Sequence, residues 1–154
     1  MNKAEFWLLM ADAGGAILLR TSEGETASVI KTLDNPAGRM HTSDIVSDRQ
    51  GRMDKKFGKA RSAMEPHTNP HEQEAIVFAR RLCTILDEGA DRRSYEHLVL
   101  VAPDHFLGLL KENLGGVAAR KLAKCETKDL MRATERERRE FVQRLMRADT
   151  RATS

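Results

Sequence analysis

The stretch Leu98-Val99-Leu100-Val101-Ala102, followed at once by Pro103, constrains this chain more than any other. Its five consecutive apolar residues have strand length, and a strand apolar on both faces lies inside a sheet with helices on either side. Pro103 ends it, because proline has no N–H for a ladder and fits the first turn of a helix. Phe106, Leu107, Leu110 and Leu114 then recur at helical spacing until Gly115-Gly116 closes the run. The stretch reads as the central strand of an α/β domain and the crossover helix behind it.

The flanking sequence supplies partners for that strand. Phe6–Asp12, Ala16–Thr21 and Ala27–Leu33 read as three strands, separated by Ala13-Gly14-Gly15 and by Ser22-Glu23-Gly24-Glu25. Connections this short require antiparallel pairing, since a parallel pair needs a long crossover. A helix starts where Asn69 supplies the N-cap, Pro70 the first helical position and Glu72 the third residue of a capping box. Ala75, Ile76, Ala79, Leu82, Cys83 and Leu86 form its apolar stripe, and Gly89 is the expected stop. Val117–Thr127 fits a helix through Ala118, Ala119, Leu122 and Ala123 or a strand around Arg120–Cys125; the strand completes the alternation better. Thr134 and Glu137 make a second capping box, and Phe141, Val142 and Leu145 give the last helix a narrow apolar stripe. Its run Glu135-Arg136-Glu137-Arg138-Arg139-Glu140 reads as a solvated face with i,i+4 pairs. The order is β-β-β-loop-α-β-α-β-α, a three-layer α/β domain with a mixed sheet of about five strands. That is the order of ribonuclease H-like domains. Residues 1–148 form one domain, and 149–154 read as a flexible tail.

A chain of 154 residues can bury a core without disulfides or metal. The N-terminus shows no charged segment leading into an apolar one, so no signal peptide is expected. No apolar run approaches the roughly 20 residues that span a bilayer, which argues against membrane insertion. Cys83 and Cys125 lie far apart in sequence and read as reduced thiols, consistent with a cytoplasmic protein. A net charge of +3 permits anionic partners without requiring them.

Between residues 34 and 69 the periodicity dissolves. A loop of that length in a compact domain is functional or unstructured. From Arg49 to Arg61 it carries Arg49, Arg52, Lys55, Lys56, Lys59 and Arg61, with Asp54 as the one opposing charge. Such a loop, with Gln50 beside its first arginine, can neutralise phosphates in a salt-dependent way. Phe57 alone provides no stacking platform for single strands. Asp12, at the end of the first strand, occupies the place of a metal-binding carboxylate in ribonuclease H-like nucleases. Two-metal hydrolysis needs several carboxylates around ions about 4 Å apart, and Glu72, Glu74 and Asp104 are better explained as helix N-terminal residues. His67 and His71 stand four apart, but the cap at Asn69 leaves His67 outside the helix. No nucleophile elbow, P-loop, dinucleotide fingerprint or Cys-x-x-Cys occurs, and no cofactor is implied.

These pieces together resemble the bacterial host-attachment protein family. The resemblance is carried by Trp7-Leu8-Leu9-Met10-Ala11-Asp12-Ala13-Gly14, Ala16-Ile17-Leu18-Leu19, Ser47-Asp48-Arg49-Gln50-Gly51-Arg52, Phe78-Ala79-Arg80-Arg81-Leu82, Leu98 to Gly108, and Lys128-Asp129-Leu130. The strand followed by Ala-Pro-x-x-Phe-Leu-Gly is the most specific piece. The family is in turn remotely similar to the middle domain of archaeal and eukaryotic class-one peptide-chain release factors. Their corresponding loop carries a Gly-Gly-Gln tripeptide that promotes peptidyl-tRNA hydrolysis, which this chain lacks. The resemblance implies a role in host-cell attachment; with no catalytic constellation and no export signal in the sequence, the chain reads as a non-enzymatic cytoplasmic protein that binds a macromolecular partner and influences attachment indirectly. One alternative is an RNA- or ribosome-associated module using Arg49, Gln50, Arg52, Lys55, Lys56, Lys59 and Arg61. Another is a metal-dependent hydrolase using Asp12.

Overall fold

A computed structural model describes residues 4–22, 26–39 and 69–153, the last six of these as helical backbone. Its elements are β1 (Glu5–Asp12), β2 (Gly15–Ser22), β3 (Ser28–Asp34), α1 (Pro70–Asp91), β4 (His97–Ala102), α2 (Asp104–Asn113), α3 (Gly116–Arg120), β5 (Leu122–Thr127), a 3-10 turn at Leu130–Arg132, and α4 (Glu135–Thr153). One five-stranded mixed sheet runs in the order β3-β2-β1-β4-β5. The short turns make β1–β2 and β2–β3 antiparallel, while β4 joins β1 in parallel after α1, and β5 joins β4 in parallel after α2 and α3. The apolar pentapeptide is therefore interior, as expected, although the middle of the five strands is β1. Both halves of the Val117–Thr127 ambiguity are real: a single helical turn of α3 delivers the chain into β5.

Side-chain alternation divides the core in two. In the parallel register Leu9 faces Leu100 and Leu8 faces Val99. Leu9, Leu98, Leu100 and Ala102 pack with Phe78, Leu82 and Leu86 of α1 and with Phe106 and Leu110 of α2. Leu8, Met10, Val99 and Val101 turn to the opposite layer, where Phe141, Val142 and Leu145 of α4 cover them. Among the described residues, α1, α2 and α3 thus cover one face of the sheet, and α4 with Leu130 of the 3-10 turn covers the other.

The N-caps form at the residues the sequence predicts, although Glu72 turns its carboxylate to His105 and not back to Asn69. Asn69 accepts the Glu72 N–H at 2.7 Å. Thr134 and Glu137 exchange hydrogen bonds of 3.1 and 2.9 Å. The end of α1 differs: it passes through Gly89 and stops at Arg92, with Arg93 taking the left-handed conformation (φ 58°). Ser94 N–H then donates to the Gly89 carbonyl and Arg93 N–H to that of Ala90, closing a Schellman motif. Gly89 serves packing instead, because the Trp7 ring lies against its Cα, stacked on Tyr95 with 4.7 Å between ring centroids. The last helix also differs, continuing to Thr153 through the residues read as a tail.

Candidate functional site

The carboxyl ends of β1, β4 and β5, where open α/β sheets place their ligands, form one edge of the molecule. The end of β3 lies there too, because Asp34 pairs with Gly15 at the start of β2. Asp12 Oδ1 accepts the Gly14 N–H at 2.8 Å, which tightens the β1–β2 turn. Asn35 locks that turn from outside, donating its side-chain amide to the Ala13 carbonyl (2.8 Å) and its backbone N–H to the Gly14 carbonyl (2.9 Å). Arg39 adds a bond to Gly14 O (2.9 Å) and pairs with Asp34, holding the Asp34 carboxyl below its ordinary range. Gly38 is required here, since a Cβ would run into the Ala13 carbonyl. On the helical side of this edge, His105 Nε2 lies 2.9 and 3.1 Å from the two Glu72 carboxylate oxygens, joining the first turns of α1 and α2.

Asp12 is accordingly bound into a turn. Burial pushes its carboxyl above the ordinary value; Asp129 adds to that, while the Gly14 and Gly15 N–H groups and Arg132 oppose it. Among the described residues no three His, Cys, Asp or Glu side chains gather as a metal site. A carboxyl whose folded pKa is raised gives its full stability below the unfolded value of 3.8 and loses it as pH rises through the folded value. Asp12→Asn keeps an oxygen for Gly14 and removes the buried charge. Its stability relative to the parent is therefore expected to fall between pH 7 and pH 3.5, as the parent's penalty disappears. Asp12→Ala, which orphans the Gly14 N–H, is expected to cost about 1 kcal/mol at pH 7. Urea melts of the three proteins at both pH values check this.

Arg49, Gln50, Arg52, Lys55, Lys56, Lys59 and Arg61 lie outside the described residues. Arg39 and Asn69, which bracket residues 40–68, both stand at the carboxyl edge. Of the two cysteines, Cys83 is buried, donates to the Leu110 carbonyl at 3.3 Å, and has its pKa pushed up to about 12 by burial. Cys125 is half-buried on β5, and burial raises its pKa as well.

The feature that sequence reading missed is on the opposite face. Because α4 packs over β1 and β4, none of the described elements lies over the β2–β3 half of that sheet face, and a groove of about 590 Å³ opens there. Its floor is apolar: Met10, Ile17, Leu19 and Val29 of the sheet, with Val142 and Met146 of α4. Arg138, Arg139 and Arg147 line it from α4, with Glu135 as the acidic residue among them. Arg138 is fixed, since its Nη1 donates to the Leu130 and Ala133 carbonyls at 3.2 and 2.8 Å. Arg139 pairs with Glu135 at 3.3 Å. Val29 is 58% exposed and Ile30 42% exposed on the edge strand, large apolar side chains left to solvent. The available signal was the apolar pair Val29-Ile30 in a strand otherwise polar except for Leu33.

A family model described as "Protein required for attachment to host cells" matches residues 7–142, from within β1 into α4. Among curated proteins none matches the chain.

Proposed function

The chain belongs to the family of proteins required for attachment to host cells, and from that membership and the uncovered groove we propose that it acts by binding. In this reading it is a non-enzymatic, cytoplasmic protein whose groove between α4 and the β2–β3 sheet face holds a partner, and its influence on attachment is indirect. The observation that carries the reading is the groove itself, a concavity of the size of ligand sites with an apolar floor and walls of threonine, glutamine, glutamate and arginine side chains. Two facts are compatible with the location: among the described residues no helix is long and apolar enough to cross a membrane, and both thiols are free.

Val29→Glu and Thr32→Trp test it. Both residues are exposed and line the groove, so either change alters the site while leaving the core intact. The expected result is loss of host-cell attachment by cells carrying either variant, with normal protein levels and melting temperature. Attachment at the parental level with both variants would end the reading.

A second reading is favoured by a separate observation. The cationic segment 49–61 lies in sequence between Arg39 and Asn69, which stand at the same edge as Lys128 and Arg132, and its composition suits RNA or the ribosome. Co-sedimentation with ribosomes at low salt, lost on reversing Lys55, Lys56 and Lys59 together, is expected if it holds. A protein that stays soluble at low salt would dismiss it.

A further inference from the structure

We propose that the groove between α4 and β2–β3 takes one medium-chain fatty acid, its chain on the apolar floor and its carboxylate at the Arg138/Arg139/Arg147 rim. This rests on the groove being the binding site and adds the chemistry of its ligand. The floor of Met10, Leu19, Val29 and Val142 offers an apolar chain a surface that water occupies at a cost. Against it stand three guanidinium groups and one carboxylate, Glu135, so the border attracts a negative head. Arg138 is already ordered by two backbone carbonyls, and its remaining N–H groups need no further immobilisation to meet a carboxylate.

Other occupants fit less well. A helix is about 10 Å across, so a docked peptide would set only one side of itself into a groove of about 590 Å³. The chain's own segment 49–61 carries six cations against Asp54, the same sign as the rim. A second copy whose two-fold axis passed through the rim would bring arginine onto arginine. A single acyl chain with an anionic end matches the volume, the floor and the sign of charge together.

The test is calorimetric titration of the full chain with sodium dodecanoate below its micelle concentration, beside dodecylammonium and an acidic three-turn amphipathic peptide. Saturable one-to-one binding of dodecanoate is expected, with dodecylammonium silent. Removing charge-assisted contacts by Arg139→Gln with Arg147→Gln is expected to weaken it about tenfold, and Thr32→Trp to abolish it. No dodecanoate binding, equal binding of the ammonium, or binding indifferent to these variants overturns the proposal. So does binding of the peptide alone, co-flotation with anionic phospholipid vesicles in place of monomer binding, or a concentration-dependent dimer that Thr32→Trp dissociates. If Thr32→Trp stops attachment while dodecanoate does not bind, the groove keeps its role and the fatty acid is wrong. If dodecanoate binds and both groove variants attach normally, the ligand stands and the role in attachment falls.

Discussion

Leu100→Ala is expected to remove about 3–5 kcal/mol of stability, the upper range for a large-to-small change in a core that cannot collapse. Leu100 is fully buried on β4, between Leu9 on the neighbouring strand and the layer formed by α1 and α2. The hole left by its side chain is walled by strands bonded on both sides, so little of it can close. Since a domain of this kind is stable by only about 5–15 kcal/mol, the variant should melt in a fraction of the urea the parent needs, with an unchanged m value. Val29→Ala, on the edge strand of the same sheet, is expected to change stability by less than about 0.5 kcal/mol. A loss below about 1 kcal/mol for Leu100→Ala would contradict the interior position of β4.

Gly89→Val should rank beside it, at about 3 kcal/mol, and here sequence intuition points the other way. Gly89 lies inside α1, where replacing glycine ordinarily stabilises a helix, by about 1 kcal/mol for alanine. A Cβ at this position, however, would sit 2.5 and 2.6 Å from two ring carbons of Trp7 and 3.2 Å from Tyr95. The Trp7 ring cannot simply swing aside, because it is stacked on Tyr95, whose hydroxyl donates to the Leu86 carbonyl at 2.8 Å. Overpacking of that kind costs about 1–3 kcal/mol, so even Gly89→Ala is expected to destabilise, by about 1 kcal/mol net. The diagnostic measurement is a double-mutant cycle: in a Trp7→Leu background Gly89→Ala should become neutral or favourable. Additive losses would show that the ring is not what forbids a side chain there.

Leu100 and Gly89 lie on the α1–α2 side of the sheet, whereas the groove on the other side depends on α4 packing over Leu8, Met10, Val99 and Val101. If that packing loosened, the helix could slide over the β2–β3 half and close the concavity. Stability measurements on Val29→Glu and Thr32→Trp therefore belong with the attachment assays.

Much of this architecture was legible in the residues alone. The apolar pentapeptide before Pro103 required an interior strand, the short glycine turns required a meander, and Asn69 and Thr134 located two helix starts to the residue. These are local demands: a strand needs two covered faces, a tight turn permits only antiparallel return, and a cap needs its oxygen three residues before a free N–H. The family could be read for the same reason, since its most specific piece is that strand and the helix start behind it. The stop of α1 was not legible, because it depends on the conformation of Arg93 and on a ring contributed by Trp7, more than eighty residues earlier. Nor was the groove, since no local pattern says which half of a sheet face one helix will cover. That is decided by the competition among all the apolar side chains for burial, which puts Phe141, Val142 and Leu145 over β1 and β4 and leaves Ile17, Leu19 and Val29 beside an arginine-lined opening.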